Sequence, residues 1–263
     1  MSDQVAAAIL GLVQGLTEFL PVSSTGHLIL VSDALALDPD RFGLSFDVAL
    51  HLGTALAVLL YFARTWLGLA ADVVRARWRM PLLVVAGTLP AAIAGVLLES
   101  AVERTLRSPI WIVVGLLLGS VVFVLAERAA TQRRSIDGMT IGDALVMGAA
   151  QAVALLPGIS RSGITISAGL ARDMSRADAT RFSFLLATPV ILGAGIKTLL
   201  DARKAAELFA SPDVLAIGFA VSFVSGLAAV AFLVRFLRLH SLNWFVTYRI
   251  ALAAVVLFVL VAR

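Results

Sequence analysis

Two short polar segments carry the side chains of this sequence that are best suited to chemistry, and both interrupt apolar sequence. Hook 1 runs from Gln14 to His27, and hook 2 runs from Gln151 to Gly163. Each hook contains a Gln, then a Pro, then a turn of small and hydroxyl-bearing residues that includes Gly. Backbone that is broken by Pro and Gly at membrane depth survives only where protein or a water-filled cavity covers it. The matched pair of broken segments therefore predicts a membrane-embedded site.

Three ionisable side chains of the hooks, Glu18, His27 and Arg161, lie where hydrocarbon is expected. Such residues are costly within a membrane and usually face a partner or a watery cavity. Each of them alone could be structural, for example a Glu that caps a helix or an Arg that snorkels to the interface. Together with the hydroxyl groups of the turns, they suit transfer of a phosphoryl group from a lipid, with catalysis by positioning and charge neutralisation.

Hook 1 offers a cation site and several groups that could attack or move a proton. Gln14 and Glu18 are four residues apart and share one face of a helix, where their oxygens could hold a hard divalent cation together with substrate phosphates. His27 could act as general base, general acid or nucleophile. The hydroxyl groups that could act as nucleophiles or donors are those of Ser23, Ser24 and Thr25.

Hook 2 offers an anion site. Arg161 has the planar fork of donors that suits phosphate. Small and hydroxyl-bearing residues around it can aim backbone amides at an anion, and they are Gly158, Ser160, Ser162 and Gly163.

The composition identifies an integral membrane protein. The 263 residues are 60% hydrophobic and only 14% charged, whereas soluble domains are nearer half apolar and a quarter charged. Long continuous apolar runs favour helices over the short alternating segments of an outer-membrane barrel. The absence of cysteine excludes disulfides and thiolate metal sites. The basic residues lie mainly in short loops, as in cytoplasmic flanks, and do not indicate a nucleic-acid partner.

The apolar runs predict an all-α polytopic protein, with one membrane-embedded domain over residues 1–263. Six runs approach the ~20 residues that a helix needs to span a bilayer: Phe46–Arg64, Met80–Leu98, Pro109–Glu127, Phe182–Leu200, Val214–Val234 and Trp244–Ala262. Two further apolar regions, Val5–Val31 and Ile141–Leu170, carry the hooks. Each is broken near its middle, and we interpret each as a re-entrant helical hairpin. The N-terminus lacks the positive region of a signal peptide, so we expect no cleaved leader.

Loop charge predicts the orientation. If both hooks are re-entrant, the basic connections around Arg64–Arg79, Arg128–Arg134, Arg172–Arg181 and Arg235–Arg238 fall on one side, which the positive-inside rule makes cytoplasmic. The hooks then enter from opposite sides. The halves, about 1–130 and 131–263, become inverted repeats that meet near the bilayer midplane. If both hooks instead crossed the membrane completely, the Arg172–Arg181 cluster would lie on the opposite side from the first two clusters. The bias of basic residues toward one side would then be weaker.

The segments Glu18–His27 and Pro157–Gly163 resemble the two signature motifs of bacterial undecaprenyl-diphosphate phosphatases of the bacitracin-resistance type. The resemblance extends over the span layout, through Phe46–Thr54 and Tyr248–Ile250. It implies removal of the terminal phosphate from undecaprenyl diphosphate, which yields the carrier for peptidoglycan synthesis and protects against bacitracin. It also implies dependence on Mg²⁺ or Ca²⁺, interdigitated inverted repeats, frequent dimers, and an inner-membrane cavity that opens to the periplasm.

The resemblance also implies roles for individual residues. Glu18 matches the acidic residue that completes a Glu/Gln-x-x-x-Glu motif, and Gln14 takes its first position, where some members have Glu and thus one more anionic ligand. Ser24 matches the proposed nucleophile, His27 the proposed base or alternative nucleophile, and Arg161 the phosphate-binding arginine. The sequence leaves open whether Ser24 or His27 attacks.

Two alternatives concern the function and two concern single residues. A transporter that flips the carrier lipid would share the inverted-repeat layout, although transport does not require a nucleophile. A structural scaffold would leave the buried ionisable cluster without a purpose. His51, inside the first predicted span, is most simply a packing or hydrogen-bonding residue. Arg249, one turn inside the last span, could snorkel or belong to the site.

Overall fold

The structure, a computed structural model, describes residues 1–105 and 108–262, apart from the side chains of residues 99–105 and 204. Within these ranges the chain forms α-helices joined by short turns and one 3-10 turn, with an isolated bridge between Arg134 and Met174 in place of any sheet. The helices are α1 (Asp3–Phe19), α2 (Ser24–Ala34), α3 (Leu44–Tyr61), α4 (Ala63–Val74), α5 (Arg79–Thr105), α6 (Pro109–Ala129), α7 (Ile141–Val153), α8 (Arg161–Ala171), α9 (Arg176–Leu200), α10 (Ala202–Leu208), α11 (Pro212–Phe236) and α12 (Asn243–Ala262).

The prediction of an all-α polytopic protein with six spans is confirmed. Six helices are long and apolar enough to cross a membrane: α3, α5 over Arg79–Leu98, α6, α9, α11 and α12. The main difference lies after the first span, where α3 ends at Tyr61 and the unpredicted short helix α4 follows. A second short helix, α10, occupies the corresponding place after α9.

Each hook is the bend of a helical hairpin, α1–α2 for hook 1 and α7–α8 for hook 2. The two bends end on equivalent serines, Ser23 and Ser160, whose φ angles are 75° and 74°. Non-glycine residues rarely adopt positive φ, and such a conformation costs roughly 1–3 kcal/mol. Each serine side chain caps the helix that follows by accepting a backbone N–H, from Gly26 or Gly163 at 3.4 Å. The two hooks are therefore alike in backbone as well as in sequence.

The order hairpin, span, short helix, span, span occurs twice along the chain, and the two halves interlock. α1 of the first half packs most extensively against α11 of the second, and α7 of the second packs against α5 of the first. α6 likewise packs against α12. Because the main contacts of each hairpin are with the other half, the halves bury one shared core. The boundary of the repeats near residue 130 and their inversion across a bilayer stay predictions.

The basic connections lie together at one end of the molecule. Arg134 donates to the carbonyl oxygen of Arg172, and Arg176 pairs with Glu127 at 2.6 Å. Arg181 donates to Thr65 at the start of α4. The backbone N–H of Thr131 donates to Asp173 at this end and lowers the pKa of that carboxyl group.

These contacts place both ends of the α7–α8 hairpin at the same end of the molecule. Re-entry of the hairpins, as opposed to full crossing, stays a prediction. The depth of the hairpins in a bilayer stays a prediction.

The opposite end carries acidic and basic residues near the starts of α1, α3 and α11. Arg41 pairs with Asp3, and Gln4 donates to Asp213 at 2.8 Å. Ser45 donates to Glu207 at 3.2 Å. The connection between α2 and α3 is thereby held against both halves of the protein.

Candidate active site

The tips of the two hooks meet, as the sequence requires for a shared site. The backbone N–H of Gly158 in hook 2 donates to Ser23 Oγ in hook 1 over 3.1 Å. The guanidinium of Arg161 pairs with the carboxylate of Glu18. Gly115 on α6 makes room for this meeting, because a Cβ atom there would overlap the carbonyl oxygen of Pro157.

Glu18 is the centre of the site. Its buried carboxylate stands in the last turn of α1, and Oε1 pairs with Arg161. Oε2 accepts a hydrogen bond from Ser24 Oγ at 2.6 Å and one from Gln14 Nε2 at 2.9 Å. Three of the residues that the sequence singled out therefore converge on one carboxylate, which is aligned to take the proton of the Ser24 hydroxyl.

Arg161 is placed to bind an anion as well as Glu18. Its side chain is 17% exposed, and within the described part of the chain its guanidinium bonds through Nη2 to Glu18, leaving Nε and Nη1 without a protein partner. A guanidinium presents five donors in a rigid fork. The unused donors can therefore bind phosphate oxygens while the ion pair holds the side chain in place.

Two helix N-termini reinforce the positive potential of the site. Ser24 is the first residue of α2, and Arg161 is the first residue of α8. Backbone N–H groups in the first turn of a helix point outward, and the helix dipole favours negative charge there. Since the hook tips touch, both N-termini act on the same region.

His27 lies in the first turn of α2 but directs its ring nitrogens to other partners. Nδ1 is 2.7 Å from the carbonyl oxygen of Ser23, and Nε2 is 2.6 Å from the hydroxyl of Tyr248 on α12. A carbonyl oxygen only accepts, so Nδ1 carries a proton and Nε2 of the neutral ring accepts from Tyr248. The structure thus gives Ser24 and His27 different hydrogen-bond partners, a distinction that the sequence does not contain.

His51 lies beside Glu18, although the sequence predicted only a packing or hydrogen-bonding role for it. Its Nε2 atom is 3.4 Å from Glu18 Oε2, and its Nδ1 atom is 2.7 Å from the backbone carbonyl of Asp47. The available signal was an ionisable side chain inside a predicted span, since such residues usually face a polar partner.

Arg249 does not snorkel. It is fully buried, and its guanidinium donates to the carbonyl oxygens of Pro21 in hook 1 and Gly158 in hook 2. The snorkelling alternative is therefore wrong for this residue. Its position one turn inside α12 did not reveal this, because both partners come from distant parts of the chain.

The remaining predicted substrate-binding residues build the turns. Ser23 and Ser160 cap helices, Ser162 Oγ is 3.3 Å from Ser160 Oγ, and the N–H groups of Gly158 and Gly163 already donate to serines. Thr25 is half-buried in the first turn of α2. Contact of these six residues with substrate stays a prediction, while the hydrogen bonds of the five other than Thr25 support the two turns.

Replacement of Gly163 by alanine tests this supporting role. A Cβ atom at Gly163 would overlap the ring of Phe123 on α6. Overpacking of this kind costs about 1–3 kcal/mol, so we expect Gly163→Ala to lower the thermal midpoint in detergent. The double variant Gly163→Ala/Phe123→Leu should recover part of that loss. A Gly163→Ala protein of unchanged stability would contradict the packing explanation.

The side chains around Glu18 are better suited to a divalent cation that arrives with a phosphate ligand than to a cation that is permanently bound. Among the described residues no group of three His, Asp or Glu side chains could enclose a metal ion. The side-chain oxygen of Gln14 is buried and without a hydrogen-bond partner, while the nitrogen of the same amide donates to Glu18. Mg²⁺ is often held by one or two protein carboxylates plus substrate phosphates, and this pair of oxygens suits that arrangement.

Comparison with known proteins identifies the family. Residues 7–255 match the family model described as bacitracin resistance protein BacA. The chain is 45% identical over 268 residues to an undecaprenyl-diphosphatase of Rubrobacter xylanophilus, which covers 97% of this chain and 98% of the relative. It is 44% identical over 264 residues to an undecaprenyl-diphosphatase of Corynebacterium striatum (96% and 93% covered) and 42% identical over 263 residues to one of Desulforudis audaxviator (97% of each). With both hooks inside the matched region and six helices able to span a bilayer, this multi-pass membrane protein belongs to the bacitracin resistance protein BacA family.

Proposed function

We propose that this protein hydrolyses undecaprenyl diphosphate to undecaprenyl phosphate and inorganic phosphate. The observation that carries the proposal is the hydrogen bond of 2.6 Å from Ser24 to Glu18, beside a guanidinium with unused donors. The relatives that match over nearly their full length are named undecaprenyl-diphosphatase. Such a reaction regenerates the lipid carrier for peptidoglycan synthesis. It also removes the diphosphate that bacitracin sequesters.

The first step is attack by Ser24 on the terminal phosphorus. The Ser24 hydroxyl gives its proton to Glu18 Oε2, an Oγ–P bond forms, and the bond from phosphorus to the bridging oxygen breaks. Undecaprenyl phosphate leaves as an anion. Protonation of Glu18 weakens its ion pair with Arg161, so the guanidinium becomes available to the transferring phosphoryl group as the negative charge redistributes. Neutralisation and positioning of this kind supply most of the catalysis in phosphoryl transfer.

The second step is hydrolysis of the phosphoserine. A water molecule attacks phosphorus and its proton passes to His27 Nε2. As the P–Oγ bond breaks, Glu18 Oε2 returns its proton to Ser24 Oγ, which restores the serine hydroxyl and releases phosphate, and His27 then gives its proton to solvent. His27 is suited to this role because its Nδ1–H bond to the Ser23 carbonyl leaves the Nε2 lone pair as the basic site. The Tyr248 hydroxyl occupies that lone pair at 2.6 Å in the resting protein and must give way to water.

An apolar groove can receive the part of the prenyl chain next to the diphosphate. It has a volume of about 230 Å³ and lies between α2, α6 and α12, lined by residues that include Leu30, Ala34, Leu252 and Val256. On α12 the groove begins one turn beyond Tyr248, the residue in contact with His27. The prenyl chain is the occupant we propose for this groove.

We also propose that Mg²⁺ or Ca²⁺ enters with the diphosphate. Gln14 Oε1 and the Glu18 carboxylate would hold it together with phosphate oxygens, and it would supply additional charge neutralisation. The unpartnered oxygen of Gln14 supports this assignment.

Replacement of Gln14 by glutamate tests the cation site. The new carboxylate adds an anionic ligand beside Glu18, and cation affinity rises with the charge of the ligand set, so we expect half-maximal activity at about tenfold lower Mg²⁺. Without a cation, the two carboxylates repel each other and the thermal midpoint of Gln14→Glu should fall, with recovery on addition of Mg²⁺. Unchanged Mg²⁺ dependence of both activity and stability would remove Gln14 from the cation site.

The experiment that decides the function uses purified protein in detergent, where no compartments exist. It is given farnesyl or undecaprenyl diphosphate with Mg²⁺, and released phosphate is measured. Release at a rate proportional to protein supports the phosphatase. Binding of the diphosphate without release would favour the alternative, a transporter that flips the carrier lipid.

We further propose a location in the bacterial inner membrane, with the site open to the periplasm and the chain able to form a homodimer. The cluster of basic connections at one end supports cytoplasmic placement of that end. Cysteine scanning with a membrane-impermeant thiol reagent tests the orientation, because the chain has no cysteine of its own. Ser45 on the opposite end should react from outside in intact cells, and Arg238 should not.

A further inference from the structure

Arg249 is a buried cation, and each of its three side-chain nitrogens donates at least one hydrogen bond. Nε donates to Ser120 Oγ at 3.1 Å and Nη1 to the Pro21 carbonyl at 3.2 Å. Nη2 donates to the carbonyl oxygens of Gly115, Leu116 and Gly158 at 3.1, 3.0 and 2.9 Å. The side chain is 0% exposed. All of these partners are neutral.

No carboxylate of the described residues pairs with this guanidinium. Its charge is met by carbonyl and hydroxyl dipoles and by the ring of Phe123, whose centroid is 4.7 Å from Cζ. Burial of a charge without an opposite charge is unfavourable unless hydrogen bonds compensate for it. Gly119 on α6 provides the space, because a Cβ atom there would overlap Nη2. The carbonyl and hydroxyl groups, the Phe123 ring and the space at Gly119 therefore all accommodate the Arg249 side chain.

The two hook carbonyls that Arg249 binds occupy equivalent positions. Pro21 lies two residues before Ser23, and Gly158 lies two residues before Ser160, so each carbonyl precedes the serine that caps a site helix. The first residues of those helices are Ser24 and Arg161. One planar guanidinium thus links the backbone of hook 1, hook 2 and α6 directly behind the site.

We infer that Arg249 is a positioning residue that fixes the distance between Ser24 and Arg161. This inference rests on the proposed phosphatase function. Without Arg249, the direct links between the tips are the Gly158–Ser23 hydrogen bond and the Glu18–Arg161 ion pair. The second of these loosens when Glu18 takes the proton of Ser24. The hydrogen bonds of Arg249 involve neither Glu18 nor Arg161, so they keep the tips in register during the reaction.

The test compares Arg249→Met, Arg249→Lys and the matched control Arg238→Met, which removes an exposed arginine just after α11. Misplacement of reacting groups by about 1 Å costs roughly 100-fold, so kcat of Arg249→Met should fall by about that factor while KM changes by less than about threefold. Arg249→Lys keeps the charge without the planar fork and should show the same pattern. Arg238→Met should match the parent protein. A loss confined to KM, or an unchanged kcat, would overturn the inference.

A distance measurement gives a second readout that does not depend on activity. Leu16 in hook 1 and Leu156 in hook 2 are 41% and 40% exposed, and the chain has no native cysteine, so both can carry spin labels. We expect a narrow distance distribution with Arg249 and a broader one with Met or Lys, in protein that remains monodisperse. If Arg249→Met is not recovered, Arg249→Lys carries the same test. An unchanged distribution would reject the positioning role, whereas absence of phosphate release by the parent protein would reject only the proposed function.

Discussion

Arg161→Ala is expected to lower kcat/KM for undecaprenyl diphosphate by about 10³-fold or more. The reason is that loss of an arginine that neutralises the transferring phosphoryl group typically costs 10³–10⁵ in rate, and Arg161 pairs with Glu18 where the hooks meet and keeps donors free for phosphate. Arg161→Lys should recover only a small part, because lysine keeps the charge but lacks the bidentate fork. Phosphate release in detergent, with farnesyl and undecaprenyl diphosphate, measures both.

The control for Arg161→Ala must separate chemistry from folding, because the change leaves the buried Glu18 carboxylate unpaired. Loss of one partner of a buried pair is strongly destabilising. The double variant Arg161→Ala/Glu18→Gln removes both charges and should regain thermal stability without regaining activity. An exposed arginine replaced in the same way, Arg238→Ala, should leave activity unchanged. Near-normal turnover of Arg161→Ala would remove this residue from phosphate binding.

Ser24→Ala and His27→Ala are both expected to abolish turnover, but at different steps. In Ser24→Ala no phosphoenzyme can form, because the attacking oxygen is gone. In His27→Ala the phosphoserine should form and persist, because the base that activates water is missing. With substrate labelled in the terminal phosphate, His27→Ala should therefore trap up to one equivalent of acid-stable label on Ser24, and Ser24→Ala should trap none.

The opposite pattern would assign the roles differently. Label on His27 in the Ser24→Ala protein, acid-labile as expected of a phosphoramidate, would make His27 the nucleophile.

Tyr248→Phe provides a matched control, because it removes the hydroxyl group that contacts His27 Nε2 and keeps the aromatic ring that stacks on the imidazole, with 5.7 Å between the ring centroids. It should retain activity, since Tyr248 must leave His27 before water can enter.

The architecture could be predicted largely from local pattern. The six spans follow from continuous apolar runs, and the bends of α1–α2 and α7–α8 follow from the Pro- and Gly-containing hooks. The short helices α4 and α10 were not predicted, because helices of 12 and 7 residues are too short to form an apolar run of spanning length.

The candidate site was predicted in part. Glu18, Ser24 and Arg161 converge as expected, because their motifs already required that the hooks meet. His51 and Arg249 were not assigned, because their partners come from other helices. The Arg249–Pro21 hydrogen bond, for example, joins residues 228 positions apart, and no spacing rule reaches that far.

The sequence by itself determined that this is a helical membrane protein and predicted which side chains could take part in phosphoryl transfer. Both conclusions depend on residue type and on neighbours within a few turns of helix. Only the tertiary structure decided which groups act on each other, with Ser24 bonded to Glu18 and His27 bonded to Tyr248. The physical reason is that a hydrogen bond depends on distance and direction between atoms, and here those are set by the packing of helices from the two halves of the chain.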